Sequence, residues 1–348
     1  MTPSAHIDTF TRDNLPPKEE WPDFLFALPE LRYPDRINCV KELLDVWIER
    51  GQGGRPCLIS PSETLSYAQL AERVNRIANV LTRDLGLDPG NRVLLRAPNT
   101  PMMIATYLAV IKAGGVAVAT MPLLRAKELS YAAAKAKIGL ALCDARLADE
   151  MEKTRPLAPG LDRVVYWGKD GSDSLEALMN KSGYERFIAC NTAADDVCLI
   201  GFTSGTTGEP KGTMHFHRDM LATCDSYGRH VLQADADDRF IGSAPLAFTF
   251  GLGGHVLFPL RAGAASIQIE RATPEDLLAG IEKFRATVCF TAPTAYRAMV
   301  GPVRSRDISS LRKCVSAGEA LPKATFDTWQ AATGIKIMDG IGATEMLH

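Results

Sequence analysis

Short apolar runs with strand character alternate with helix-forming segments along this chain. The runs VLL (93–95), VAVAT (116–120) and LALC (140–143) are separated by segments that predict helices beginning at about Pro101 and Ala126. A strand followed by a crossover helix returns the chain to the same end of a sheet, which favours parallel pairing. The order therefore predicts an α/β fold of layered sheets and helices.

The last third of the chain follows the same order. Residues 273–276 (TPED) predict a strong helix start, and the strand TVCF (287–290) follows the helix. Two further strands are predicted in 311–316 and 335–338, with a helix over about 322–332 between them. If these strands are parallel neighbours, the loops after them leave from one carboxyl-end edge, where open α/β sheets bind ligands. That edge is the predicted site.

The composition excludes several classes of protein. The chain has 348 residues, with 39 lysines and arginines against 41 aspartates and glutamates in no long blocks, so we expect no nucleic-acid partner. The best candidate for a membrane span, residues 102–124, contains Lys112 and Gly114-Gly115, so a buried helix followed by a buried strand explains it better. We therefore expect no membrane partner. The N-terminal residues contain no apolar stretch typical of a secretory signal.

The eight cysteines contain no C-x-x-C pair, which argues against a zinc ribbon and against thioredoxin chemistry. Four of them lie in short apolar runs, where a thiol packs as a small hydrophobic group. This usage predicts a reducing, cytoplasmic location.

Three regions are expected along the chain. Residues 1–35 form an arm, because five prolines lie among aromatic residues between positions 15 and 35. Residues 36–190 form a first α/β sub-domain, in which Ser66 and Gln69 make a capping box. Residues 191–348 form a second α/β sub-domain, which contains the predicted site.

A loop rich in hydrogen-bond donors follows the apolar run VCLIGF. Its glycines allow close backbone approach, its hydroxyls and amides can bind an anion, and its lysine supplies a positive charge. A flexible linker is the alternative, but linkers rarely follow a buried strand. The nucleotide-binding pattern G-x-x-x-x-G-K-[ST] fails at Pro210 and Gly212. We expect the loop to bind a triphosphate through Thr203, Ser204, Gly205, Thr206, Thr207, Gly208 and Lys211.

Four motifs together resemble the adenylate-forming (AMP-binding) superfamily, which includes acyl-CoA ligases, luciferases and adenylation domains of peptide synthetases. They are the loop at 203–212, His217 five residues after it, the segment SAGEALP (316–322) and the sequence GATE (342–345). The segment 245–253 (PLAFTFGLG) further resembles the acyl pocket of aryl-CoA ligases. The resemblance runs from about residue 40 to the end and is nearest to benzoate and 2-aminobenzoate CoA ligases.

The resemblance implies the layered α/β N-terminal domain of the adenylate-forming ligase fold, incomplete at its C-terminal side. The chain stops at Met346-Leu347-His348, immediately after the last motif. The ribose-binding aspartate and the C-terminal lid domain, with its lysine, have no counterpart in this sequence. We therefore expect a fragment or truncated product of a larger ligase, with a naturally shortened nucleotide binder as the alternative.

The implied activity is that of an AMP-forming aryl-acid CoA ligase of the benzoate or 2-aminobenzoate type. A carboxylate attacks the α-phosphate of Mg-ATP to give acyl-AMP and pyrophosphate, and coenzyme A then displaces AMP. The catalytic residues implied are Lys211, His217, Thr344 and Glu345, with Glu345 as the Mg2+ ligand. A solvated loop carboxylate is the alternative for Glu345. The remaining ATP-binding residues are Gly318, Glu319, Ala320, Asp339, Gly340, Ile341, Gly342 and Thr344.

The implied acyl pocket is flat and apolar, which suits a small aromatic carboxylic acid. Ile341 stands where most of the superfamily has a tyrosine that stacks on adenine, and aryl-CoA ligases often share this substitution. Phe248, Phe250 and Tyr296 have an alternative as plain core residues. The pocket residues are Ala247, Phe248, Phe250, Gly251, Ala292, Tyr296, Ala317, Gly318, Ile341 and His348.

Several alternatives stay open. His215 and His217 form an H-x-H pair that is weak as a metal site, and packing or hydrogen bonding at the pocket edge is favoured for both. The basic cluster of Arg304, Arg306, Arg312 and Lys313 favours a solvated face over a contact to CoA phosphate. A homodimer is an option. The competing functions are a non-catalytic nucleotide or acyl binding module and a phosphotransferase, which Pro210 and Gly212 disfavour.

Overall fold

The structure is a computed structural model that describes residues 3–203 and 208–348. In this part of the chain, the strands form two sheets, one of six strands and one of seven. The strands are β1 Pro56–Ile59, β2 Thr64–Ser66, β3 Arg92–Arg96, β4 Val116–Thr120, β5 Leu140–Asp144, β6 Arg163–Trp167, β7 Val197–Phe202, β8 Gly212–Phe216, β9 Arg239–Gly242, β10 Ala265–Ile267, β11 Val288–Thr291, β12 Lys313–Ser316 and β13 Ile337–Asp339.

Helices cover the sheets and connect the parallel strands. Four π-helical segments, 41–45, 80–84, 224–231 and 253–257, continue or link neighbouring helices, and single 3-10 turns occur elsewhere, including one at 344–346. The α-helices are α1 Phe10–Asp13, α2 Val46–Glu49, α3 Tyr67–Asn79, α4 Pro101–Lys112, α5 Ala126–Lys135, α6 Ala148–Thr154, α7 Leu175–Met179, α8 His217–Thr223, α9 Thr249–Leu252, α10 Phe258–Ala262, α11 Pro274–Phe284, α12 Pro293–Met299 and α13 Lys323–Thr333.

Both sheets are parallel apart from one strand at an edge. The first has the order β6-β5-β3-β4-β7-β8, in which β8 runs antiparallel to β7. The second has the order β13-β12-β11-β9-β10-β1-β2, in which β2 runs antiparallel to β1. The predicted α/β layered fold is confirmed, and β11, β12 and β13 are parallel neighbours as expected. The loops that follow these three strands leave from one edge.

Local signals place several helices where the sequence predicts them. Ser66 caps α3 through a reciprocal bond with Gln69, and Thr273 caps α11 in the same way with Asp276. In each capping box, two backbone N–H groups that the helix leaves unpaired find side-chain acceptors. Helix α4 and strand β4 occupy the apolar stretch at 102–124, and both are buried. No helix in the described ranges combines the length and apolar character needed to cross a bilayer.

The sheets exchange strands between the two predicted sub-domains. Strands β1 and β2 lie early in the chain, yet they complete the second sheet beside β10. Strands β7 and β8 lie after residue 190 and complete the first sheet beside β4. The carboxyl end of β7 and those of β11–β13 therefore belong to different sheets.

The second sheet separates two apolar layers. In β11, Val288 and Phe290 pack into the larger core shared by both sheets, whereas Cys289 faces a smaller core under α11, α12 and α13. This division follows from the alternation of side chains along a strand. Any residue on those three helices that packs against the sheet is therefore shielded from the larger core.

The predicted N-terminal arm contacts the ends of strands in the first sheet. Ser4 and the amide of Ala5 hydrogen-bond to Asp196, and Asp8 forms an ion pair with Arg92. A cavity of about 1260 Å3 lies under the arm, at the amino end of β7.

Asp238, immediately before β9, neutralises part of the predicted basic cluster. Its buried carboxylate accepts hydrogen bonds from Arg312 and Lys313, each at 2.7 Å, and from the Thr287 hydroxyl. Burial alone would raise the pKa of this carboxyl, but these hydrogen bonds and the charge of Lys313 hold it below its usual value. Arg306 likewise pairs with Glu275 and Glu282. Three of the four cations thus have carboxylate partners within the protein.

Asp238→Asn should lower the free energy of unfolding at pH 7 by about 3 kcal/mol, because it removes a buried charge and leaves two cations without it. A depressed folded-state pKa stabilises the protein above the unfolded pKa, and this stabilisation disappears as pH falls through the folded pKa. The difference in the free energy of unfolding between Asp238→Asn and wild type should therefore become smaller below about pH 4. Urea unfolding of both proteins at pH 7 and below pH 4 measures this difference.

Asp327→Asn provides the control, since Asp327 forms an exposed pair with Lys323 one helical turn away. The stabilising role of the Asp238 carboxylate is wrong if Asp238→Asn and Asp327→Asn destabilise the protein equally, or if the effect of Asp238→Asn does not depend on pH.

Candidate active site

The predicted phosphate loop connects β7 and β8, the two strands at the edge of the first sheet. The amide of Thr203 donates to the carbonyl of Lys211 (2.9 Å), and the amide of Lys211 donates to the Thr203 hydroxyl (3.2 Å). These bonds close the loop at its base. Four of the predicted phosphate-binding residues lie outside the described residues: Ser204, Gly205, Thr206 and Thr207.

The described end of the loop is tied to a helix and presents a cation. The Tyr131 hydroxyl, on α5, donates to the carbonyl of Pro210 (3.0 Å) and lies 3.3 Å from the Glu209 carboxylate. Gly208 and Lys211 are exposed. The ammonium of Lys211 forms no ion pair with any described residue, so its charge faces the solvent beside the loop.

His215 connects this hairpin to the end of the chain. It lies on β8, is 4% exposed, and its Nε2–H donates to the Thr344 carbonyl at 2.7 Å. Burial lowers the pKa of the ring, although the Thr344 carbonyl and Asp219 favour the protonated form. A Cβ on Gly201 would lie 2.9 Å from the Thr344 methyl group, so the strand needs glycine where Thr344 packs against it.

Four residues after Thr344, His348 lies in a cluster of aromatic side chains. Its ring centroid is 4.6 Å from Phe258, 4.9 Å from Tyr227, 5.7 Å from Phe250 and 6.0 Å from Phe290. Burial lowers the pKa of His348 to about 4, so the ring is neutral at pH 7. We call these five side chains the aromatic cluster. The short segment 344–348 therefore runs from the stem of the phosphate loop to an uncharged, aromatic wall.

Gly253 makes this packing possible. A Cβ at this position would lie 2.4 Å from His348 Nδ1, closer than any van der Waals contact allows. Gly253 belongs to the segment that the sequence assigns to the acyl pocket, although it is not among the predicted pocket residues. Its role is steric, because only hydrogen leaves space for the imidazole ring.

The predicted adenine-binding residues lie at the carboxyl-end edge of the second sheet. Gly318, Glu319 and Ala320 follow β12, and residues 339–342 end and follow β13. All of them are exposed, and Ile341 is 99% exposed. Gly318 has a φ of +91°, which favours glycine at this turn. The two loops form an open shelf beside Thr344.

The predicted pocket residues near the ends of β9, β11 and β12 differ in their environments. Ala247 and Phe250 pack against the larger core, Gly251 is buried, and Phe250 is part of the aromatic cluster. Phe248 is 42% exposed. Ala292 and Ala317 are half-buried at the ends of β11 and β12.

Tyr296 is not brought to the aromatic cluster. It is fully buried in the smaller core, where its ring packs on Trp329 and its hydroxyl donates to the carbonyls of Cys289 (2.8 Å) and Val315 (3.2 Å). The cluster residue Phe290 lies on the other face of the same sheet. Tyr296 therefore matches the alternative of a core residue, because α12 packs on the face opposite the cluster.

His217 is also directed away from the loop. It begins α8 and is fully buried, and its Nδ1 accepts a hydrogen bond from the Cys39 amide (3.2 Å). The catalytic role predicted for His217 stays a prediction. His215, two residues earlier, is the histidine that contacts the Thr344 turn.

Glu345 has the properties of a ligand for a hard cation. Its side chain is exposed and forms no hydrogen bond or ion pair within the described ranges. Carboxylate oxygen suits Mg2+, which keeps several of its water ligands. This environment is compatible both with the predicted Mg2+ role and with the alternative of a solvated loop carboxylate, so the role of Glu345 stays a prediction.

The cavity under the N-terminal arm is a separate feature. None of the predicted site residues lines it, because it lies at the amino end of β7 and the loop follows the carboxyl end. The candidate site is accordingly the open edge where the loop, the shelf and the segment 344–348 meet.

Several contributors were missing from the predicted set. His215 is not in the predicted site set, although the sequence favours packing or hydrogen bonding at the pocket edge for it, and its bond to the Thr344 carbonyl is of this kind. Tyr131, Tyr227, Phe258 and Phe290 carry no such local signal. They are separated from their partners by long stretches of chain and reach the site only through the packing of the sheets.

Comparison with known proteins identifies aryl-CoA ligases and other acyl-CoA synthetases as relatives. The family model described as AMP-binding enzyme matches residues 45–348. The chain is 35% identical to a benzoate–CoA ligase of Thauera aromatica over 92% of its own length and 61% of the relative. It is 34% identical to an anthranilate–CoA ligase of Pseudomonas aeruginosa over 82% of its own length and 54% of the relative.

Solved structures agree with these relatives. The anthranilate CoA ligase AuaEII in complex with anthranoyl-AMP superposes with a TM-score of 0.86 at 30% identity, over 92% of this chain and 62% of that one. A benzoate CoA ligase from Burkholderia xenovorans gives a TM-score of 0.80 at 28% identity, over 90% of this chain and 62% of that one. The chain thus spans about three fifths of the length of these proteins.

His215→Leu should loosen the turn at 344–346 without unfolding the sheets, because leucine keeps the burial and removes the hydrogen bond to Thr344. Loss of a hydrogen bond worth about 1–1.5 kcal/mol corresponds to roughly ten-fold faster amide exchange where opening is local. Hydrogen exchange followed by mass spectrometry on peptides covering 340–348 measures this. His230→Leu is the control, because the half-exposed ring of His230 pairs with Glu30 and forms no bond to Thr344. Equal exchange in both variants would contradict the role of His215.

Proposed function

This chain belongs to the family of AMP-binding enzymes, and on that premise we propose that it provides the ATP-binding and acid-binding surfaces of an AMP-forming aryl-CoA ligase. Its substrates are ATP and a small aromatic carboxylic acid of the benzoate or 2-aminobenzoate class. Coenzyme A is the acyl acceptor. We propose a cytoplasmic location, which the eight unpaired cysteines support.

The observation that carries the proposal is the course of residues 344–348. Thr344 packs against Gly201 and accepts a hydrogen bond from His215, so it lies at the stem of the phosphate loop. His348 packs within the aromatic cluster. One short segment therefore borders both a site suited to phosphate and a site suited to an aromatic ring, as expected where a carboxylate must meet the α-phosphate of ATP.

The loop supplies stabilisation for the phosphates. Negative charge grows on phosphate oxygens during transfer, and donors that are already oriented stabilise it at little reorganisation cost. The Thr203 hydroxyl, the exposed Lys211 ammonium and the Tyr131 tether support this role within the described residues. Mg2+, held by Glu345, would supply further charge neutralisation at the phosphates.

The aromatic cluster supports an aryl acid over an aliphatic one. Phe258 and Phe290 are fully buried, whereas Tyr227, Phe250 and His348 are half-buried and would offer flat, uncharged surfaces. The low pKa of His348 keeps that ring neutral at pH 7. Offset or edge-to-face contacts between aromatic rings contribute about 0.5–1.5 kcal/mol beyond the burial of apolar area, which favours an acid that carries a ring. The relatives named as benzoate and anthranilate ligases support the same class of acid.

Replacing Lys211 should weaken nucleotide binding and leave the fold unchanged, because the side chain is exposed. We expect Lys211→Ala to bind Mg-ATP roughly ten-fold more weakly, since a hydrogen bond to a charged group contributes about 1.5 kcal/mol. Isothermal titration calorimetry measures the dissociation constant. Lys323→Ala is the matched control, because Lys323 is exposed on α13. The role fails if both variants bind Mg-ATP equally, or if Lys211→Ala lowers the melting temperature as a core substitution would.

The choice of acid tests the proposed function directly. In the presence of ATP and Mg2+, benzoate or 2-aminobenzoate should raise the melting temperature more than hexanoate or octanoate at equal concentration. A ligand that binds only the folded state stabilises it by RT ln(1 + [L]/Kd), so the larger shift reports the tighter binding. A larger shift with either aliphatic acid would show that the aryl assignment is wrong. Omission of ATP is the control that separates binding at this site from general stabilisation by carboxylates.

A further inference from the structure

Asn99 connects the first sheet to the loop that follows β9 of the second sheet. It lies between β3 and α4 and is 8% exposed. Its Nδ2–H donates to the Ala244 carbonyl (2.9 Å), and its Oδ1 accepts a hydrogen bond from the Leu246 amide (2.9 Å). The donor and the acceptor of one side-chain amide therefore hold the backbone on both sides of Pro245.

The backbone that carries Asn99 is itself fixed. The next residue, Thr100, caps α4 by accepting a hydrogen bond from the Met103 amide, and Pro101 begins that helix. Thr100 and Met103 are both buried. The side chain of Asn99 thus extends from an ordered base, and water competes poorly for hydrogen bonds at such a buried position.

The backbone held in this way supports the start of α9. A Cβ on Gly251 would overlap the Pro245 carbonyl oxygen and would lie 2.7 Å from the Ala244 carbonyl oxygen, so the helix packs directly on these two peptide groups. Phe250 immediately precedes this glycine, and its ring centroid is 5.7 Å from that of His348. The position of the Phe250 ring in the aromatic cluster therefore depends on the backbone that the asparagine side chain holds.

We propose that Asn99 is a positioning residue for the aromatic acid. It holds residues 244–251 in the arrangement that presents Phe250 to the acid, before the acid binds. This inference rests on the proposed function, since it takes the aromatic cluster as the wall of the acid site. It adds a residue of the first sheet that does not itself contact the acid.

The consequence of this role is a loop that is already ordered when the acid binds. If a loop takes its binding arrangement in only a fraction of the molecules, the apparent dissociation constant rises by the inverse of that fraction. Loss of the two hydrogen bonds of Asn99 should therefore weaken binding of the acid. Mg-ATP should be unaffected, because the phosphate loop follows β7 and is not part of the segment at 244–251.

Asn99→Leu tests this role, because leucine is close to asparagine in size and removes both hydrogen bonds. Calorimetry in the presence of Mg2+ and α,β-methylene ATP, which cannot be cleaved to AMP, gives the dissociation constant for 2-aminobenzoate. We expect this constant to rise roughly ten-fold, and the constant for the nucleotide analogue to change by less than about two-fold.

Asn79→Leu is the matched control. Asn79 is 1% exposed on α3, and its Nδ2–H groups donate to the carbonyls of Tyr184 (3.1 Å) and Arg186 (2.9 Å). It is thus a buried asparagine that holds a backbone segment outside the candidate site. Asn79→Leu should lower the melting temperature and leave both dissociation constants unchanged.

The positioning role is wrong if Asn99→Leu binds 2-aminobenzoate as tightly as wild type does. It is also wrong if the variant loses affinity for the acid and for the nucleotide by the same factor, or if Asn79→Leu weakens acid binding equally. If the wild type binds no aromatic acid, the proposed function itself is wrong and the positioning role falls with it. Equal acid binding by wild type and Asn99→Leu contradicts the positioning role alone.

Hydrogen exchange on peptides covering 243–252 gives a second measurement. In wild type, these amides should be protected without acid, and 2-aminobenzoate should slow their exchange by less than about two-fold, because the loop is already ordered. In Asn99→Leu they should exchange roughly ten-fold faster, and saturating acid should restore the protection. Exchange of the wild-type loop at the rate of unstructured backbone would overturn the proposal, whether or not the variant folds.

Discussion

The hydrogen bond from His215 to the Thr344 carbonyl is the contact on which the candidate site depends. His215 belongs to the edge strand of the first sheet, and Thr344 follows the edge strand of the second. Together with the packing of Thr344 on Gly201, this contact holds the turn after the second sheet beside the loop of the first sheet. Because the bond is buried, water competes poorly for the carbonyl, and the turn at 344–346 keeps one position beside the loop.

Charged side chains lie on one side of this contact, and apolar aromatic side chains lie on the other. Lys211 and Glu345 are exposed near the loop, whereas the imidazole ring of His348 is neutral within the aromatic cluster. Such a division suits a substrate with one charged end and one flat apolar end. Gly201 and Gly253 are the steric requirements of the arrangement, since a side chain at either would displace Thr344 or His348.

The stem of the loop rests on a second buried arrangement, formed by Cys39, Cys198 and His217. Burial alone would raise the pKa of the Cys39 thiol, but hydrogen bonding to Cys198 and the nearby His217 lower it to about 6. His215 and His217 thus face opposite sides of one hairpin edge, one towards the site and the other towards the interior. Two residues that are two positions apart in a strand normally face the same side of the sheet. His215 lies in β8 but His217 is the first residue of α8, so the change of backbone direction between them turns the two rings to different sides.

The amino-acid sequence by itself determined the helices that Ser66 and Thr273 cap and the parallel strands β11–β13, and it predicts the donors of the phosphate loop. Each depends on interactions within a few residues or on the apolar character of one buried strand. Only the tertiary structure decided that β1 and β2 complete the second sheet, that Tyr296 packs away from the aromatic cluster, and that His215 contacts Thr344. These outcomes depend on which sheet face a side chain occupies and on pairs of residues far apart in the chain. Local propensity carries no information about such pairs, because their energy arises only when the two sheets pack together.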